Sequence, residues 1–211
     1  MLDPSGEPVA VGGARLRVLL ALLLLRPGRP SAVEELTDAI WGEAVPGAVG
    51  NALQALASRL RRALGEGTGL LGDGGGYRLD VTPEQVDLHV FEDLAGRGRA
   101  DLRAGRFERA EPSLDGALAL WRGPALPDLT SHGLAEEVAL RLGETHRTAV
   151  EDLLEARIAL GRATEALPRA EALASGDPHR ERPVELLMRA LAGSGRTADA
   201  LAGYETFRGQ I

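Results

Sequence analysis

Apolar positions in the first part of the chain shift from one period to another. Arg15 to Leu25 is apolar at almost every position, which predicts a helix buried on several sides. The sequence Arg26-Pro27-Gly28-Arg29-Pro30 ends it, because proline lacks the amide donor that a helix needs. Val33, Leu36, Ile40 and Trp41 then recur at helical spacing behind Ser31, whose hydroxyl is expected to cap this second helix while Glu34 closes a capping box. Gly42 to Gly50, with Pro46, reads as a turn region, and a third helix is predicted from about Asn51 to Leu64. Gly65 to Gly76 is a glycine-rich, hairpin-like stretch, and Tyr77-Arg78-Leu79-Asp80-Val81 alternates as a strand does. Upstream, Glu7 to Val11 reads as a short strand between Gly6 and Gly12. Three short helices followed by a ribbon are the order of a winged helix-turn-helix.

From Thr82 onward the helical period is almost unbroken. The change near Pro83 to Asp87 suggests two domains, residues 1–82 and residues 83–211. Within the second, Gly105-Arg106-Phe107-Glu108-Arg109-Ala110, Gly161-Arg162-Ala163-Thr164-Glu165-Ala166 and Gly195-Arg196-Thr197-Ala198-Asp199-Ala200 share the unit G-R-x-x-x-A. The last two units lie 34 residues apart, which is the tetratricopeptide period. The first two lie 56 apart, the excess falling on the insert Trp121 to Gly133. The expected fold is mainly α: an N-terminal winged helix-turn-helix with a small β-hairpin wing, then an all-α, tetratricopeptide-like repeat domain whose G-R arginines decorate the turns.

The third helix carries the chemistry. Leu53, Leu56, Ala57, Leu60, Ala63 and Leu64 share one face and must pack inward. Asn51, Gln54, Ser58, Arg61 and Arg62 fall opposite, with Arg59 at the edge, and no acidic residue lies between Glu43 and Glu66. Amide side chains pair bidentately with adenine, arginine pairs with guanine, and both bond phosphates, so this face suits DNA.

Charge complicates that reading. The 211 residues carry a net −7, and all 24 basic residues are arginine. Residues 1–80 hold eight arginines against nine carboxylates, which leaves −6 to residues 81–211. The balance keeps a rival in play, a tetratricopeptide-like interaction scaffold whose winged helix binds no DNA. With no cysteine there is no disulfide, thiolate metal site or thiol nucleophile, which fits a cytoplasmic setting. The apolar run Val18 to Leu25 is eight residues long, too short for a membrane span and a poor secretion signal.

No catalytic, metal or cofactor site emerges. The glycine-rich Gly65 to Gly69 lacks the lysine of a phosphate-binding loop, and the chain has no lysine at all. His89, His132, His146 and His179 are scattered without ligand spacing. The carboxylate pairs Glu136-Glu137 and Glu151-Asp152 suit solvated helix faces.

The segment Arg15 to Leu25 with RPGRP, then EELTDAIWG, NALQALASRLRRALG and GYRLDV, resembles the DNA-binding half of the Streptomyces antibiotic regulatory proteins. VDLHVFEDL, LWRGPAL and the three G-R-x-x-x-A units resemble their bacterial transcriptional activation domain, so the likeness covers nearly the whole chain. The resemblance implies a response-regulator type of winged helix that binds promoter direct repeats as a side-by-side homodimer and recruits RNA polymerase, with no membrane partner. It implies control of an antibiotic biosynthetic gene cluster from the nucleoid. It carries groove reading onto Asn51, Gln54, Ser58, Arg59, Arg61 and Arg62, and places Tyr77 and Arg78 beside a wing that reaches the minor groove. Tyr77 equally fits packing on the helices. Family wings usually bring a basic residue near Gly-Tyr-Arg, whereas Asp73 stands here; family members also have further strand sequence ahead of Glu7 and continue beyond Ile211.

Overall fold

In the computed structural model, which describes residues 10–65, 69–72, 74–126, 133–177 and 179–209, the expected central helix is α1 (Ala14–Leu24). Its Leu16, Val18, Leu19, Leu20, Leu22 and Leu23 are all buried, because α2 (Val33–Trp41), α3 (Val49–Leu64) and the sheet cover it from different sides. Each fully buried leucine here stabilises the unit by roughly 2–3 kcal/mol relative to an exposed one. Leu36, Ile40, Leu53, Leu56, Ala57, Leu60, Leu70 and Leu79 complete the same core.

The sheet has three antiparallel strands in the order β1 (Ser31–Ala32), β3 (Gly76–Leu79), β2 (Leu70–Gly72). Ser31 faces Tyr77 and Ala32 faces Gly76, while Leu70 faces Leu79 across the hairpin. Gly76 has to be glycine, since a Cβ there would overlap the Ser31 carbonyl. The expected strand end at Val81 moves back to Leu79. Of the expected strand Glu7 to Val11, residues 7–9 lie outside the described residues, and Ala10 and Val11 are not in a strand.

The capping box expected at Ser31 does not form. Ser31 belongs to β1 and is 2% exposed, and Ala32 occupies the N-cap of α2 with no side-chain cap bond. The cause is tertiary: β3 recruits residues 31–32 as a strand, and the orphan amide of Val33 donates to the Gly75 carbonyl at 3.2 Å instead. Glu34 and Glu35 complement the positive helix end without capping it.

Two compact units can be distinguished, comprising the described residues of Met1–His89 with Gly123–Gly143, and of Val90–Arg122 with Glu144–Ile211. The second takes α4 (Asp87–Arg103) from residue 90 and α6 (Gly133–Ala159) from residue 144. It adds α5 (Phe107–Ala119), α7 (Ala163–Gly176), α8 (Glu181–Gly193) and α9 (Thr197–Arg208).

Each G-R-x-x-x-A unit is one inter-helix turn. Gly105, Gly161 and Gly195 have φ of 70°, 76° and 80°, the left-handed conformation that glycine tolerates. The following arginine amide closes the preceding helix in all three: Arg106 to the Asp101 carbonyl, Arg162 to Arg157 and Arg196 to Leu191, at 2.8–2.9 Å. The alanines, Ala110, Ala166 and Ala200, are buried where paired helices approach. A further element of the repeat is proline, Pro112 in α5 and Pro168 in α7, each seven residues after the turn glycine. Each deprives a residue on the solvent side, Glu108 or Thr164, of its helical amide partner.

The turn arginines pair with carboxylates: Arg106 with Asp101 at 2.7 Å, Arg162 with Glu111 at 2.6 Å and Arg196 with Asp199 at 2.7 Å. Glu151 and Asp152 overturn the expectation of a solvated pair, for both are 2% exposed. Arg99 of α4 donates to one Asp152 oxygen at 2.9 Å and Arg182 of α8 to the other at 2.6 Å, so the packing of three helices supplies the counter-charge that water would otherwise give. Arg182 also reaches Glu155 at 3.0 Å. Burial lowers the Arg182 pKa, but Asp152, Glu151 and Glu155 outweigh it and leave the pKa above its ordinary value.

Trp121, at the start of the expected insert, stacks on His146 at 4.4 Å between ring centres and tilts against Phe91 at 5.3 Å. Burial and then the nearby Arg169 charge hold the His146 pKa below the usual histidine value.

Candidate nucleic-acid interface

The outer face of α3 follows from its inner one. Leu53, Leu56, Ala57 and Leu60 are buried against the core, which fixes the rotation of the helix and leaves Asn51, Gln54, Ser58, Arg59, Arg61 and Arg62 exposed. The structure therefore brings all six onto one side. Arg61 and Arg62 also lie in the last turn, where their charge complements the carbonyl end of the helix.

Arg61 has a second attachment. Its Nε donates to the Leu70 carbonyl at 2.9 Å, tying the end of α3 to the first strand of the wing. Arg61→Ala is therefore expected to do two things. It lowers the stability of the N-terminal unit by about 0.5–1.5 kcal/mol, the net worth of one hydrogen bond, and it frees the first strand of the wing from the end of α3. Thermal melting checks the first, since Arg62→Ala, which loses a similar charge at the helix end but no such tie among the described residues, lowers the melting temperature less.

The wing residues sit differently. Tyr77 is half-buried and packs on the hydrophobic core, with Gly72 against its ring. Arg78 is turned onto Asp80 at 3.0 Å. Asp73 lies outside the described residues. Sequence patterning missed Arg15, which the fold carries to the margin of α3: Arg15 and Arg59 line one pocket, and the Arg15 guanidinium stands 6.0 Å from the centre of the Trp41 ring. Its only trace in the sequence is an arginine just ahead of the apolar run.

Among the described residues no three His, Cys, Asp or Glu side chains gather so as to hold a metal ion, and no helix is long and apolar enough to cross a membrane.

A three-helix core with a small antiparallel sheet, joined to helical hairpins with repeated glycine-arginine turns, defines the class of winged-helix regulators with a tetratricopeptide-like domain. Two family models divide the chain in the same order: "Transcriptional regulatory protein, C terminal" matches residues 6–79, and "Bacterial transcriptional activator domain" matches residues 86–211. The chain is 40% identical over 205 residues to regulatory protein AfsR of Streptomyces coelicolor, an alignment covering 97% of this chain and 20% of AfsR. It is 36% identical to transcriptional regulator RedD of the same organism, covering 100% of this chain and 62% of RedD. Against regulatory protein DnrI of Streptomyces peucetius the identity is 33%, with 97% and 79% covered. The solved structure of Mycobacterium tuberculosis EmbR, in complex with a low-affinity phosphopeptide, matches with a TM-score of 0.89 and 34% identity over 100% of this chain and 58% of that one. The chain belongs to the Streptomyces antibiotic regulatory protein family of transcriptional regulators.

Proposed function

We propose that this protein is a sequence-specific DNA-binding transcriptional activator. It binds promoter direct repeats as a homodimer on DNA and recruits RNA polymerase, in control of an antibiotic biosynthetic gene cluster. Residues 1–82 hold the duplex and residues 83–211 make the protein contacts. The observation that carries the reading is the outer face of α3, with two amides, a hydroxyl and three guanidinium groups exposed together and no carboxylate on that helix. Gln54, Asn51 and Ser58 meet base edges, Arg61 and Arg62 bases or phosphates, and Arg59 the backbone. The names of the relatives AfsR, RedD and DnrI, all regulators, agree with it.

The Arg78–Asp80 pair favours a second reading, in which the wing is electrostatically spent and the winged helix serves a protein-interaction scaffold. Gel retardation on promoter fragments between roughly 50 and 200 mM salt separates the two, because log affinity falls by about 0.9 per phosphate contact for each unit of log salt. The activator reading expects retention that weakens steeply across that range. Absence of retention on every fragment at the low end leaves the scaffold.

A further inference from the structure

Beside the residues that face outward on α3 stands a further cation, Arg15, that neither motif nor periodicity indicates. Arg59 and Arg61 lie two positions apart, about 200° around a helix of 3.6 residues per turn. They mark the two margins of the exposed face. The Arg61 margin ends on the wing, through the bond to Leu70. The Arg59 margin ends on a pocket of about 380 Å³ whose other cationic residue is Arg15, from the first turn of α1, and which Leu56, Gly12 and Gly13 also line. Among the described residues a Cβ on either glycine would meet nothing within 4 Å. Trp41, at the end of α2, lies beneath the Arg15 guanidinium. Among the described residues no carboxylate pairs with Arg15 or Arg59. Both lining arginines carry a positive charge, so an anion at this pocket is attracted by each of them.

The dimensions of the duplex say which anion. A helix with its side chains is about 10–12 Å across and the major groove is about 12 Å wide. Side chains at the centre of the face therefore meet base edges, and those at its margins meet the sugar-phosphate walls. We propose that Arg15 and Arg59 together grip one backbone phosphate of the DNA, on the side of the groove away from the wing. The inference rests on the DNA-binding reading above and adds to it a contact made by α1, outside the helix-turn-helix.

The test compares wild-type, R15A and R15K proteins on a promoter duplex and on a duplex of unrelated sequence, across a salt series. R15A is expected to bind both duplexes about three- to tenfold more weakly, with a salt slope shallower by about one, as loss of a single phosphate contact requires. R15K keeps the charge and retains the wild-type slope. A scan with neutral methylphosphonates, read on all three proteins with their folding checked by thermal melting, locates one phosphate whose neutralisation weakens binding by wild type and R15K and has no further effect on R15A. An R15A slope equal to wild type, a loss confined to the promoter duplex, or no such phosphate overturns this contact while leaving the DNA reading intact. Failure of the wild-type protein to bind any duplex overturns both.

Discussion

Asp152→Ala is expected to destabilise the repeat unit by roughly 2–4 kcal/mol, the largest effect foreseen for a single change outside the leucine core. The side chain is 3% exposed and each oxygen accepts from a different arginine, Arg99 at 2.9 Å and Arg182 at 2.6 Å. Removing it leaves two guanidinium groups facing each other across a vacated volume, and Arg182 keeps only its more distant carboxylates on one side. The figure stands below the usual 3–5 kcal/mol for a broken buried pair, because both arginines are more than a third exposed and water takes up part of their charge. Denaturant unfolding followed by circular dichroism measures it, with Glu136→Ala on the exposed side of α6 as the comparison. Asp152→Asn keeps the shape and one strong acceptor, and so loses less. A change under about 0.5 kcal/mol in Asp152→Ala, the range of ordinary surface substitutions, contradicts the role given to this network.

Arg62→Ala is expected to weaken promoter binding by about 1–3 kcal/mol, or roughly five- to 150-fold, with a smaller fall in melting temperature than Arg61→Ala. Arg62 is exposed near the middle of the outer face of α3, with Ser58 one turn away and Gln54 two turns away, and it has no ion pair among the described residues. Among the described residues its guanidinium has no protein partner, in contrast to Arg61, which bonds Leu70, and Arg78, which pairs with Asp80. Competition against duplexes with single base changes shows how the contact is made. A base contact relaxes specificity at one position, whereas a phosphate contact weakens every duplex alike and lowers the salt slope by about one.

What could be read from the chain alone depended on how far apart the interacting residues are. The near-continuous apolar run of α1 and the leucine stripe of α3 report burial directly, since a helix apolar on several sides has to lie inside. The G-R-x-x-x-A units were legible for the same reason: glycine, arginine amide and alanine all act within one turn. Ser31 was not. A serine ahead of an apolar period looks the same whether it caps a helix or enters a strand, and the residue that decides, Tyr77, lies far along the chain. Asp152 misled similarly, because its partners Arg99 and Arg182 are 53 and 30 residues away. On α3 the exposed face was evident from spacing, while what each nearby arginine touches was not. Leu70 ties down Arg61, Asp80 turns Arg78 aside, and Arg15 joins Arg59 only when α1 packs on α3.

The claim that α3 meets the duplex is tested most directly by a fluorescence anisotropy titration of a labelled promoter duplex at roughly 50 mM salt, with wild-type protein and Arg62→Ala side by side. The account predicts saturable binding by the wild type and an isotherm displaced at least about fivefold to higher concentration by the variant, with both proteins equally folded. Superimposable isotherms, or no binding by either protein, would contradict it.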